Sequence, residues 1–156
     1  SQVTGLRQII TAIIDIASPG DEVLVVLESM GGMVHSYGLA ASQLDRLRRK
    51  GMRLTVAIDK VAASGGYMMA VVANEILAAP FAIVGSIGVV AQIPNFHRLL
   101  KKNDIDFELQ TAGKYKRTLT IFGENTNEAR QKFQEEIEET HVLFKQFIQQ
   151  YRPNIN

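Results

Sequence analysis

The sequence predicts an α/β fold in which helices cover a parallel sheet. Three observations carry that expectation. A short, wholly apolar run at residues 23–27 and a largely apolar one at 54–58 read as buried strands, the pattern of parallel sheets. Helical patterns stand between such runs, so strand and helix alternate along the chain. A long amphipathic pattern closes it, with Ala129, Phe133, Ile137, Phe144, Ile148 and Tyr151 at helical separations of three, four or seven residues.

The elements follow in order. Residues 3–17 place Leu6, Ile9, Ile10, Ile13 and Ile14 at helical spacing, and Ser18-Pro19-Gly20 ends that helix. The strand at 23–27 runs into a glycine turn at 29–32. Residues 34–50 read as a helix closed by Gly51, with Arg46, Arg48, Arg49 and Lys50 suiting the negative end of its dipole. The strand at 54–58 leads through a corner of small residues to Ser64, and 67–73 read as a buried helix. Further strands are expected near 75–79 and 82–84, a helix at 96–102 and a strand at 105–110. From 111 to 123 the pattern loosens. Asn125, with Glu128 three positions on, resembles a helix start. The helix beyond it carries Glu135, Glu136, Glu138 and Glu139 on its other face. The expected organisation is an α/β core over 1–110, an extended lysine-bearing segment over 111–125, and a long helix over 126–156.

Composition narrows the function classes. The chain has 156 residues, 46% of them hydrophobic and 21% charged, enough for one domain with a sizeable core. A net charge of +1 gives no electrostatic case for a nucleic-acid partner. With no cysteine there is no thiolate nucleophile, no disulfide and no cysteine-bound zinc. Residues 76–96 carry no charge, but Pro80, Gly85, Ser86, Gly88 and Pro94 interrupt them. Two short buried strands joined by a turn fit that stretch better than a membrane span.

The chemistry centres on Ser64, in D-K-V-A-A-S-G-G-Y-M-M-A (residues 59–70). A hydroxyl at the mouth of a helix, backed by glycines, is what a serine nucleophile needs. The turn Glu28-Ser29-Met30-Gly31-Gly32 leaves the neighbouring strand at the same sheet edge, where open α/β sheets bind ligands. Backbone N–H groups of Gly31, Gly32 and Gly65 are then the raw material of an oxyanion hole.

A serine also needs a base. His35 and His97 could complete a Ser-His-Asp arrangement. Glu138 and His141 make one Glu-x-x-His, whereas a di-iron bundle needs two, so no metal is expected. No cofactor is expected either. Lysine is the other base, with Lys60, Lys114 and Lys116 as candidates. A free lysine titrates near pH ~10.4, so it serves as a base only in an apolar, water-poor pocket that disfavours its charge. Spacing does not choose between Lys114 and Lys116.

These residues also carry a resemblance. The Ser64 string, G-S-I-G-V-V at 85–90, T-A-G-K-Y-K-R-T-L-T at 111–120 and E-S-M-G-G-M-V-H-S-Y-G-L-A-A-S-Q-L at 28–44 are together similar to the signal peptide peptidase A family of serine peptidases. The likeness is greater still to an inner-membrane peptidase branch of it, and covers nearly the whole chain in one order. The resemblance implies a ClpP/crotonase-like α/β spiral and a serine–lysine dyad. Ser64 would be the nucleophile and Lys116 the general base. Ser86 would orient the lysine, and the N–H groups of Gly32 and Gly65, with Gly31 assisting, would bind the oxyanion. It implies peptide substrates such as signal-peptide remnants, a homo-oligomer with sites shared between subunits, and an inner-membrane location facing the periplasm.

Two departures stand out. Met30 replaces the family's turn proline, and Glu28 stands where asparagine is frequent. Against the family pattern the chain also lacks an N-terminal membrane anchor, part of the first strand region and everything after Asn156, as an excised catalytic fragment would. Two other readings remain at the sequence level. One is an acyl-CoA hydratase or isomerase of similar fold, using Glu28 and Glu75 as its carboxylates. The other is a non-catalytic ring subunit.

Overall fold

The structure, a computed structural model, describes residues 2–18, 20–113 and 116–154. In chain order the elements are α1 (Gln2–Ile16), β1 (Glu22–Val26), α2 (Val34–Arg49), β2 (Arg53–Ile58), β3 (Val61–Ala63), α3 (Gly65–Ala70), β4 (Glu75–Ala78), β5 (Ile83–Gly85), α4 (His97–Lys102) and α5 (Asn127–Tyr151). The chain forms two compact units. One comprises Ser1–Gly88 with Phe144–Asn156, the other Val89–Leu143.

The first unit is mixed α/β, and its sheets are parallel. A three-stranded sheet has the order β1-β2-β4, and β3 pairs with β5 in a second sheet. Parallel neighbours require crossovers, and α2 supplies the one from β1 to β2. Strand β2 is central, so Leu54, Val56 and Ile58 are fully buried. They pack with Ala41, Leu44 and Leu47 of α2, Ile10 of α1, Val71 to Ala73 after α3, and Phe144 and Ile148 of α5. Each such aliphatic side chain contributes about 1.5–3 kcal/mol by leaving water. Helix α2 ends where Gly51 takes φ +82, a conformation that suits glycine.

The structure differs from the sequence expectation at five places. Residues 61–63, expected as part of a corner, form strand β3, because Ser29 and β5 lie on either side to pair with it. Strand β1 is an edge strand, so Leu24 and Val26 are exposed rather than buried. Residues 105–110 form no strand. Ile105, Phe107 and Leu109 do alternate, but no neighbouring strand pairs with them among the described residues, and alternation without a partner makes no ladder. The long helix starts one residue later than expected, because Thr126 Oγ1 accepts the Ala129 N–H at 3.1 Å and caps it. The stretch 76–96 holds two short strands joined by a turn, β4 and β5, as expected, but both are largely exposed rather than buried. Among the described residues no helix is long and apolar enough to cross a membrane.

The second unit contains α4, the loop that carries Lys116 and the first part of α5. Phe122 packs against both Phe96 and Phe107, with ring centroids 6.2 and 5.6 Å apart. Thr120 is buried and is held by two asparagines. Its N–H donates to Asn125 Oδ1 at 2.9 Å. Its carbonyl accepts from Asn125 Nδ2 at 3.0 Å and from Asn95 Nδ2 at 2.8 Å. Asn95 Nδ2 also donates to the Gly123 carbonyl, at 2.9 Å.

Candidate active site

The corner at Ser64 is built by strand pairing. Ser29 N–H donates to the Val61 carbonyl and Ala63 N–H donates to the Ser29 carbonyl, both at 2.9 Å, so the first glycine turn is stitched to β3. On the other side β3 runs parallel to β5, with Ala63 opposite Gly85. The Ser64 N–H continues that ladder to the Gly85 carbonyl at 2.8 Å.

Ser64 then turns sharply, with φ 52 and ψ −118, and α3 begins at Gly65. A non-glycine residue in such a conformation costs about 1–3 kcal/mol and persists only where its surroundings enforce it. Ser64 is the N-cap residue of α3, yet its hydroxyl makes no capping hydrogen bond. A capping serine usually spends its hydroxyl on the helix N–H groups. Here the turn leaves the oxygen available for chemistry.

The glycine turn meets this corner directly. A Cβ on Gly31, which has φ +92, would lie 2.8 Å from both the Ala63 carbonyl oxygen and Ser64 Cβ. A Cβ on Gly66 would come within 2.5 Å of the Ser29 carbonyl oxygen. Only glycines permit the two backbones to close to this extent. The Gly31 N–H donates to Ser29 Oγ at 3.2 Å. Among the described residues no hydrogen bond from the N–H of Gly32 or Gly65 is found. The structure thus brings Ser64, Gly31 and Gly65 together, and the β3–β5 pairing carries Ser86 to the neighbouring strand end. Ser86 also has positive φ, 54.

The other sequence candidates fall elsewhere. Lys60 is exposed and pairs with the Glu28 carboxylate at 3.2 Å. Glu75 begins β4, at the sheet edge opposite Ser64, and its carboxylate pairs with Arg53 at 2.7 Å. Both carboxylates considered for hydratase chemistry are therefore held by surface cations. His35 is exposed at the start of α2, and no hydrogen bond joins it to Ser64 among the described residues. Lys116 lies in the second unit, its side chain exposed. Lys114 and Tyr115 lie outside the described residues.

The sequence reading passed over one side chain. Tyr37, on the first turn of α2, shares a 2.8 Å hydrogen bond with Ser29 Oγ and lays its ring against Gly32 and Gly65. Its only sequence signal is an aromatic residue close behind a glycine pair. A cavity of about 310 Å³ beside this pair is lined by Leu6, Leu27, Ala40 and Met69. A larger, polar cavity of about 660 Å³ lies near the start of β2, lined by Arg48, Arg53, Asn74 and Tyr151, away from the Ser64 corner.

Comparison with known proteins decides the family. The model of peptidase family S49 matches residues 46–155, and that of its N-terminal region matches residues 1–44. The chain belongs to peptidase family S49. The S49 relatives include a probable protease SohB of Haemophilus influenzae, 65% identical over 98% of this chain and 43% of that protein. A probable protease SohB of Buchnera aphidicola is likewise 65% identical, over the whole chain and 51% of that protein. A putative protease of Methanocaldococcus jannaschii is 34% identical over 83% of the chain and 42% of that protein. The chain spans about half the length of these S49 relatives. They bear out the family resemblance read from the motifs, and the branch to which the likeness is greater is that of the SohB proteases.

Proposed function

We propose that this chain carries the catalytic serine and oxyanion site of a serine endopeptidase that works by a serine–lysine dyad. Ser64 is the nucleophile, and Lys116 takes its proton. Ser86 hydrogen-bonds the lysine amine and aims it. The N–H groups of Gly32 and Gly65, with Gly31 assisting, stabilise the oxyanion of the tetrahedral intermediate. Attack on the peptide carbonyl gives an acyl-enzyme and releases the amine, which takes up the proton from Lys116. Lys116 then activates water to free the acid.

The observation that carries this reading is the backbone of Ser64. It is strained, its hydroxyl makes no capping hydrogen bond, and it is closed against the Gly31 turn. The bridge from Ser29 to Ala62 and the β3–β5 pair are what a ClpP/crotonase-like spiral would contain. Substrates of the proposed enzyme are membrane-derived peptides, among them signal-peptide remnants. The cavity beside Ser29 suits an aliphatic side chain. We infer a homo-oligomer whose sites are shared between subunits, tethered at the inner membrane through a segment outside this chain.

Turnover of a hydrophobic fluorogenic peptide tests the assignment of the base. Lys116→Ala should abolish turnover while Lys114→Ala retains it. The reverse result moves the base to Lys114, and activity in both variants removes lysine from the mechanism.

A further inference from the structure

Two stretches of backbone must be held in register for the proposed oxyanion site to work: the turn 29–32 and the corner 64–66. No covalent neighbour joins them. Met30 is 73% exposed, so neither ring constraint nor packing fixes the turn at that position. We propose that Tyr37 is the positioning residue that locks both stretches together, a role that rests on the reading of Ser64 and its amides above.

Tyr37 is well placed for this. Its backbone N–H donates to the Met33 carbonyl at 3.1 Å, which seats it on the first turn of α2. The ring lies against both glycines whose N–H groups have no hydrogen-bond partner among the described residues. A Cβ on Gly32 would meet Tyr37 Cε2 at 2.9 Å, and one on Gly65 would overlap the ring. The absence of side chains at both positions is therefore filled by one aromatic face. At its far end the hydroxyl shares a 2.8 Å hydrogen bond with Ser29 Oγ, which also accepts the Gly31 N–H. The Ser29 backbone in turn pairs with β3 through both its N–H and its carbonyl. Ring and hydroxyl thus hold the turn and the corner from a single rigid support.

Ring and hydroxyl have separable effects. Oxyanion donors act only when aimed at a common point, and a misplacement of about 1 Å can cost on the order of 10²-fold in rate. Tyr37→Leu removes the face that both glycines rest on and should lower kcat by about 10²-fold with little change in KM. Tyr37→Phe keeps the face and loses one hydrogen bond, so its loss should be about 2–10-fold. Ser29→Ala removes the same link and also frees the Gly31 N–H, so its loss should be at least that of Tyr37→Phe, and the double variant should lose little more than Ser29→Ala alone.

The test is kcat and KM for a hydrophobic fluorogenic peptide, expressed per site titrated with a fluorophosphonate. A merely structural role would lower the number of titratable sites and leave kcat per site unchanged. The proposal predicts that kcat per site falls in Tyr37→Leu and is largely restored in Tyr37→Phe. Unchanged kcat per site in Tyr37→Leu overturns it, and so does an equal loss in the Phe variant. If the unsubstituted protein takes up no fluorophosphonate at Ser64, the serine reading itself fails, an outcome distinct from either.

Discussion

Ser64 donates its backbone N–H to the carbonyl of Gly85 at 2.8 Å, one rung beyond the paired strands β3 and β5. Through that bond two serines, Ser64 and Ser86, leave adjacent strand ends, with φ 52 and 54. Left-handed backbone at two neighbouring serines is costly, and it persists here because β3 is clamped between Ser29 and β5.

Strain at Ser64 predicts an unusual ranking of variants. Ser64→Gly relieves it, whereas Ser64→Ala keeps the Cβ that causes it. After allowing for the greater chain entropy of glycine, the Gly variant should be more stable than the Ala variant by about 1 kcal/mol. Urea unfolding of the two measures this, and equal midpoints would contradict the strain.

Gly31 and Gly51 separate crowding from conformation. Both have positive φ, but a Cβ at Gly51 meets open space while one at Gly31 meets Ala63 and Ser64. Gly51→Ala should cost about 1–2 kcal/mol from backbone strain alone. Gly31→Ala should cost more and also abolish acylation of Ser64. Urea titration of both variants, with a label on Ser64, gives the comparison.

The asparagine clamp predicts a pattern in hydrogen exchange. The Thr120 N–H is buried and bonds to Asn125 Oδ1, whereas Asn95 bonds the carbonyls of Thr120 and Gly123 and not that amide. Asn125→Ala should remove protection at the Thr120 amide, and Asn95→Ala should retain most of it. An unpaired buried amide costs about 1–3 kcal/mol, so the first variant should also be the less stable of the two.

Two tyrosines set an alkaline limit on the first unit. Burial raises Tyr67 above its ordinary value, offset in part by Arg152. Burial also raises Tyr151, helped by the Asp45 carboxylate. An acid whose pKa is raised by folding holds its proton longer in the folded state. Its contribution is complete below the unfolded value, near ~10, and is lost as pH rises through the folded value. Stability should therefore decline above about pH 10, and Tyr67→Phe should flatten that decline. An unchanged slope in the variant would remove Tyr67 as the cause.

Much of the first unit was legible because its signals are local. The apolar run at β2 and the helical spacing of α1 and α5 each determine their element without help from distant residues. Strand β3 was not legible, since Val-Ala-Ala becomes a strand only where Ser29 and β5 offer partners. The converse holds at 105–110, where a good alternating pattern has none. Ser64 and its glycines stood out as residue types with a shared use. Tyr37 did not, because an aromatic on a helix reads as core until the bare glycines beneath its ring are seen. Asn125 was read as a helix cap, and its side chain instead turns back to Thr120.

The most direct test of the central claim is intact mass after exposure to a fluorophosphonate. The account predicts one adduct per chain, mapped to Ser64 by peptide digestion and absent in Ser64→Ala. Labelling that survives Ser64→Ala, or an adduct on another serine, would contradict it.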